Sequence, residues 1–379
     1  MPRVLARLDS SLPNAPWSFR SRGARPDALR DGDPLPIIDE LTRPTERPWV
    51  GYFSYDCGRL FERLPARAKD DLHVPTITFM RFADEATVDA PAGAVPRPRP
   101  VDSAMRSTFT RGAYERAVAR ALDYIRGGDV YQINLSQRFT LPLPCEPLEI
   151  YHRLQRDAPA AYGAYLDFGD FQVISNSPEL FLRIEPLPDG RRRIVTRPIK
   201  GTRPRRPGLD AELRDSPKDQ AELAMIVDLE RNDLGRVCEV GSVRVVEPRV
   251  IETHPTVYHG VATIEGILRD DVTLLDVLRG TFPSGSVTGA PKIRAMQVID
   301  ELEPVRRGPY CGAIGHIDPS GLVEFNVAIR TMIVKDGQVH VPVGGGIVAD
   351  SDPAAEYEET LVKAKAMFAA LGIEQVPAT

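Results

Sequence analysis

The chain has 379 residues, of which 42% are Ala, Val, Ile, Leu, Met, Phe, Trp, Tyr or Cys. That is enough apolar material for a sizeable core and excludes a disordered protein. Lys and Arg number 48 against 53 Asp and Glu, a net charge of −5 that argues against nucleic acid as the main partner, because phosphate binding needs a basic surface. No apolar run reaches the roughly 18 residues of a membrane helix. Met1 to Arg7 break off before any apolar signal core. Cys57, Cys145, Cys238 and Cys311 form no C-x-x-C pair and suit a reducing compartment. The expected setting is the cytoplasm.

In chain order, residues 85–104, rich in Ala, Pro and Arg, are expected to be an internal boundary or long surface loop. Tyr114, Ala117, Val118, Ala121, Leu122 and Ile125 keep a helical period that Gly127-Gly128-Asp129 stops. Strands are expected from Val130 to Phe139 and around Gly163 to Ile174. Ser216 caps a helix that runs to about Glu230, with Pro217 in its first turn and Asp219 at the capping-box position. Val257 to Ile264 alternates as a strand, and Tyr310–Ile317 with Leu322–Val334 reads as a hairpin. Asp336-Gly337 is a tight turn before Val339–Val343. A last helix starts at Pro353 and carries Leu361, Ala364, Phe368 and Leu371 toward a core. Long antiparallel strands with interspersed helices give an α+β class, and no G-x-G-x-x-G follows a strand.

Two helices begin with spaced acids: Asp219 with Glu222, and Glu356 with Glu359, whose stripe continues to Lys363. Opposed, these carboxylates could hold a hard cation such as Mg²⁺; alone, they serve the helix dipole. Gly344-Gly345-Gly346 is either a flexible turn or bare backbone that lets an anion approach. Pro283 to Lys292 resembles a phosphate loop but lacks G-K-[ST]. Lysine is rare, seven of the 48 basic residues, and Lys200 stands among arginines. Burial and neighbouring positive charge would make it a neutral nucleophile; otherwise it belongs to a solvated basic loop. His259 shares a strand face with Val257 and Val261, where a histidine is ordinarily a satisfied core residue.

Taken together, these segments resemble the chorismate-utilising enzymes over about residues 108–372, and Trp49 to Arg59 resembles the family's N-terminal region. The specific signals are Lys218–Gly235 with Arg231-Asn232-Asp233, the Ser286–Met296 loop, and Gly344 to Val348. The resemblance implies two stacked, mainly antiparallel sheets flanked by helices, with the site in the cleft between halves. It implies an N-terminal region over 1–100, interwoven with a chorismate-binding region over 108–372. The family's Mg²⁺ acids fall on Glu222 and Glu359, with Asp219 and Glu356 beside them. Its substrate contacts fall on Gly201, Thr202, His259, Ser286, Tyr310, Arg330, Gly344 and Gly346, with Lys363 alongside.

Two positions divide the family. Anthranilate-forming members typically carry alanine where this chain has Lys200, and isochorismate-forming members carry a water-activating lysine where it has Gln132. Both resemble the branch that makes 4-amino-4-deoxychorismate on the way to para-aminobenzoate and folate. There Lys200 would attack the ring covalently and Glu179 would act as general acid. The ammonia would come from a separate glutamine amidotransferase, since no cysteine stands in a G-x-C-x-G elbow. A lyase would act downstream. The alternatives are anthranilate formation and a chorismate-binding protein without turnover.

Overall fold

Residues 4–9, 18–23, 27–30, 34–43, 46–81, 98 and 105–373 are described by a computed structural model of the chain. The loop expected over 85–104 lies outside the described residues apart from Pro98. Within them the chain builds two sheets, of nine and ten strands, whose named strand pairs are all antiparallel. Helices flank both, as the α+β reading requires.

The helix expected around Tyr114 spans Arg111–Arg126. Ala113 N–H donates to the Thr110 hydroxyl at 3.2 Å to cap its start. Its apolar stripe, Tyr114, Ala117, Val118, Ala121 and Leu122, is buried. The strand after it, Gln132–Pro142, pairs with Gln338–Ile347 from Pro142 opposite Gln338 to Ile133 opposite Ile347. The bridge Gly289–Ala290 extends that edge beside Gln132 and Ile133.

Three expectations need correction. The strand placed over Gly163–Ile174 is a hairpin of Tyr162–Asp167 and Phe171–Ser177, because Gly169 takes φ 91° and turns the chain. The second arm of the hairpin expected over Leu322–Val334 is two strands. Val323–Val327 pairs with Ala313–Ile317 in one sheet, and Thr331–Lys335 pairs with Phe171–Ser177 in the other. Arg330, at φ 50°, sits in the crossing. Gly344, Gly345 and Gly346 are not a turn: they are ladder residues opposite Ser136, Leu135 and Asn134.

The N-terminal region feeds both sheets. Val4–Asp9 pairs with Tyr162–Asp167, and Trp49–Phe53 lies between Ala313–Ile317 and Ile77–Arg81. Phe53, Phe79 and Phe325 meet in the core with ring centroids 4.9 to 6.1 Å apart. All four cysteines are free. Among the described residues no helix is long and apolar enough to cross a membrane.

Candidate active site

One sheet runs from the Gly289–Ala290 bridge through Gln132–Pro142 to Gln338–Ile347; the other begins with Ile199–Pro204 beside Val257–Ile267. These edges bring Gln132, Gly346 and Lys200 together. A Cβ on Gly346 would lie 3.2 Å from Gln132 Nε2 and 3.6 Å from Lys200 Nζ. A Cβ on Gly345 would lie 3.2 Å from Glu356 Oε2 and 3.5 Å from Lys363 Nζ. At both glycines polar side chains stand close against the bare backbone. Gln132 is 1% exposed, and both of its amide heavy atoms lack hydrogen-bond partners. Such an unsatisfied buried amide is a site for something the chain does not supply.

Lys200 is half-buried, and burial together with Lys363 holds its ammonium below the usual lysine range, against Glu222, Glu179 and Glu359. Glu179 is 4% exposed, and burial pushes it up to about 7, against a hydrogen bond from Ser286 and the charges of Lys200 and Arg330. It sits where the chain leaves Phe171–Ser177 for Leu180–Pro186 in the other sheet, and its backbone carbonyl accepts from Val327 N at 3.0 Å. Burial also lowers the Arg330 guanidinium, with Glu179 opposing. Its side chain makes no hydrogen bond or ion pair among the described residues, so it is a cation left free for an anion. Burial, then Arg330 and His254, drive His259 down to about 3, so the imidazole is neutral. Its Nδ1 is 2.9 Å from the Thr202 hydroxyl. Tyr310 is buried, and burial raises its hydroxyl well above the usual tyrosine value.

Gly201 has φ 81°, and a Cβ there would meet Leu213 Cδ1 at 2.6 Å and Asp219 Cγ at 2.9 Å. Gly201→Ala is therefore expected to lose about 1–3 kcal/mol in urea denaturation and to displace Lys200 one residue away.

The acids expected at a metal stand on the Pro217–Gly235 and Pro353–Ala370 helices. Ser216 caps the first, accepting from Asp219 N at 3.3 Å. The capping box is not completed, because the Asp219 carboxylate bridges Arg203 at 3.0 Å instead. Glu359 bridges Lys363 at 2.7 Å, Glu222 lies 3.9 Å from Lys218, and Glu356 accepts from Ser351 at 2.5 Å. Burial raises Glu222 and Glu356; it also acts on Glu359, but Lys363, Lys218 and Lys200 outweigh it and the net shift is down. Glu356 Oε2 is buried without a hydrogen-bond partner. Among the described residues no three Asp, Glu, His or Cys side chains form a ready metal cage.

Glu230, Ser284 and the Arg307–Glu303 pair were not legible as site residues.

The chain matches the family model described as chorismate binding enzyme over residues 27–369. It is 43% identical over 362 residues to anthranilate synthase component 1 of Thermus thermophilus, covering 85% of this chain and 77% of that one. It is 40% identical over 342 residues to aminodeoxychorismate synthase component 1 of Klebsiella aerogenes, covering 83% and 75%. The crystal structure of anthranilate synthase component I from Streptococcus pneumoniae superposes with a TM-score of 0.78 at 30% identity, covering 96% of this chain and 92% of that one. A glycine strand, a lowered lysine and a raised glutamate thus come with a match over most of the sequence: the chain belongs to the chorismate-binding enzyme family.

Proposed function

We propose that the chain aminates chorismate to 4-amino-4-deoxychorismate. The observation that carries this reading is Lys200, an amine held below its usual range at the meeting point of Gln132 and Gly346. Lys200 attacks ring carbon 2 as the carbon 4 hydroxyl departs, and protonated Glu179 gives that oxygen its proton. Ammonia adds at carbon 4, the carbon 2–nitrogen bond breaks with its electrons returning to Lys200, and the new ammonium returns a proton to Glu179. Arg330, Tyr310 and the N–H groups beside Gly344 and Gly346 take the enolpyruvyl carboxylate. His259, Gly201 and Thr202 line the opposite edge. Gln132, which has no basic nitrogen, cannot activate water in competition with ammonia.

The carboxylates suit a hard divalent cation, and the unpartnered Glu356 Oε2 is a donor in want of a partner. Mg²⁺ would be held by Glu222, Glu356 and Glu359, with Asp219 beside them; when bound it polarises the ring carboxylate and makes the ring electrophilic. Ammonia would come from a separate glutaminase.

A second reading, anthranilate formation, is favoured by the names of several of the most similar relatives. One assay separates them: chorismate, Mg²⁺ and ammonium, with and without an aminodeoxychorismate lyase. Aminobenzoate appearing only with the lyase supports amination at carbon 4. Fluorescent anthranilate without it supports the second reading.

Glu179 is protonated below about pH 7 and ionised above it. As the acid of the first step it must carry its proton, so kcat/KM per mole of free ammonia is expected to fall above that pH, up to tenfold per unit. Glu179→Gln is expected to remove the alkaline limb along with most of the activity.

A further inference from the structure

Glu230 is 1% exposed on the Pro217–Gly235 helix and takes no part in the steps above. Its Oε1 accepts from Ser284 Oγ at 3.1 Å and from Gly285 N at 3.1 Å. Ser284 Oγ lies 3.0 Å from Ser286 Oγ, where either hydroxyl can donate, and the Ser286 hydroxyl stands beside the carboxyl of Glu179, whose ionised form it favours. The turn fits this closely only as glycine: a Cβ on Gly285 would lie 2.5 Å from Leu229 Cδ2 and 3.3 Å from Glu230 Oε1. Glu179 Oε1 and Glu230 Oε2, the ends of the chain, are buried with no hydrogen-bond partner. Each serine has one proton to give, so the chain has two consistent directions. One runs from Glu230 to Glu179 and the other runs back.

We propose that Glu179, Ser286, Ser284 and Glu230 form one proton relay, and that Glu230 is a positioning residue that sets where the proton of the reaction's acid rests. This rests on the reading of Glu179 as that acid. When Glu179 gives its proton to the departing oxygen, the Glu230 proton moves to Ser284, that of Ser284 to Ser286, and that of Ser286 to Glu179. Glu179 is again neutral and the negative charge rests on Glu230. When the carbon 4 ammonium gives a proton to Glu179, the chain runs back and Glu230 is reprotonated. No proton is gained or lost over the cycle beyond those of chorismate and ammonia. While ammonia is awaited, a neutral Glu179 cannot serve as a base for water.

The charged and titratable groups facing Glu179 are Lys200, Arg330 and the Cys311 thiol; those facing Glu230 are Asp233, Lys292 and Glu179 itself. Lys292 Nζ bridges Asp233 at 2.5 Å and so places a cation beside the resting charge. Burial raises both Glu179 and Glu230 above the usual carboxylate range, so both can hold a proton.

Two measurements test the relay. In the first, pH profiles of kcat and KM are compared for the wild type, S284A, S284T and E230Q. S284A is expected to lose roughly tenfold in kcat with KM for chorismate unchanged, and S284T to recover most of it. E230Q is expected to lose kcat and to move the alkaline limb to lower pH, because a like charge is removed. Equal loss in S284A and S284T, or kcat within twofold of wild type in S284A, overturns the proposal. The second is infrared titration of the buried protonated-carboxyl band, which needs no turnover. Two coupled steps in the wild type and one in E230Q support the relay; one step, unchanged in E230Q, overturns it. Since this reads protons and not product, it decides the relay whether the wild type makes 4-amino-4-deoxychorismate or anthranilate.

Discussion

Replacing Lys200 by alanine is expected to lower ammonia-dependent formation of 4-amino-4-deoxychorismate by at least about a thousandfold, with chorismate still bound. The Lys200 amine stands beside Gln132 and Gly346, placed to attack carbon 2, and removing it takes away the group that divides the substitution into two easier steps. The alternative role, a cation that merely attracts the substrate, predicts something else: a raised KM with kcat largely kept. Kinetics of the purified variant together with calorimetry of chorismate binding separate the two. Full activity in Lys200→Ala ends the covalent reading.

Arg307→Met is expected to destabilise the fold by about 3–5 kcal/mol in urea denaturation. Arg307 and Glu303 are 4% and 5% exposed, joined at 2.6 and 2.9 Å. Arg307 also donates to Val287 O at 2.9 Å and to Asn134 O at 2.8 Å, and Glu303 Oε1 accepts from Ser136 N and Oγ at 2.8 Å. The pair therefore ties the Ser286 turn to the strand that carries Gln132. The single change leaves a buried carboxylate without its cation, which costs far more than the lost hydrogen bonds alone. The double variant Arg307→Met with Glu303→Leu is expected to regain a large part of the loss, since neither charge is then buried unpaired. A double variant as unstable as the single one would assign the loss to packing over the Tyr55 ring, 4.5 Å from the guanidinium.

What the sequence made legible were features settled within one turn of chain. The cap at Ser216, the apolar stripe of Tyr114 to Leu122 and the Asp336-Gly337 turn are local, and the structure has them. The glycines at 344 to 346 could be read as backbone close to something, but not as ladder residues. What a side chain at Gly344 would strike is the paired strand, Leu135 O at 2.6 Å, and what crowds Gly345 and Gly346 are Glu356 and Gln132 at 3.2 Å, all from other elements. Arg330 reads as an interior strand residue because Val327 to Thr331 keep a strand-like composition. Only the positive φ, imposed by two sheets pulling the chain in different directions, marks the break. Glu230 and Arg307 were invisible as partners of the site for the same reason: their contacts to Ser284 and Asn134 lie 54 and 173 residues away. Lys200 stood out by its rarity and its arginine neighbours and Glu179 came through resemblance; their environments, a lowered amine and a raised carboxyl, are products of burial that no spacing encodes.

The chain passes between the sheets at Ser177–Leu180 and again, in the opposite direction, at Val327–Thr331. The two passages are stitched side by side: Ser177 Oγ donates to Val327 O at 2.6 Å and Asn176 N to Arg330 O at 3.0 Å. Mechanically this is a pivot of two crossed straps. If one sheet rocks against the other, atoms move in proportion to their distance from the straps, so the rims swing widely while the straps barely shift. Glu179 and Arg330 are themselves strap residues. The carboxyl and the guanidinium therefore sit where the lever arm is shortest, and breathing of the cleft can admit a ligand at the rim without changing the distance between the two charges that meet it.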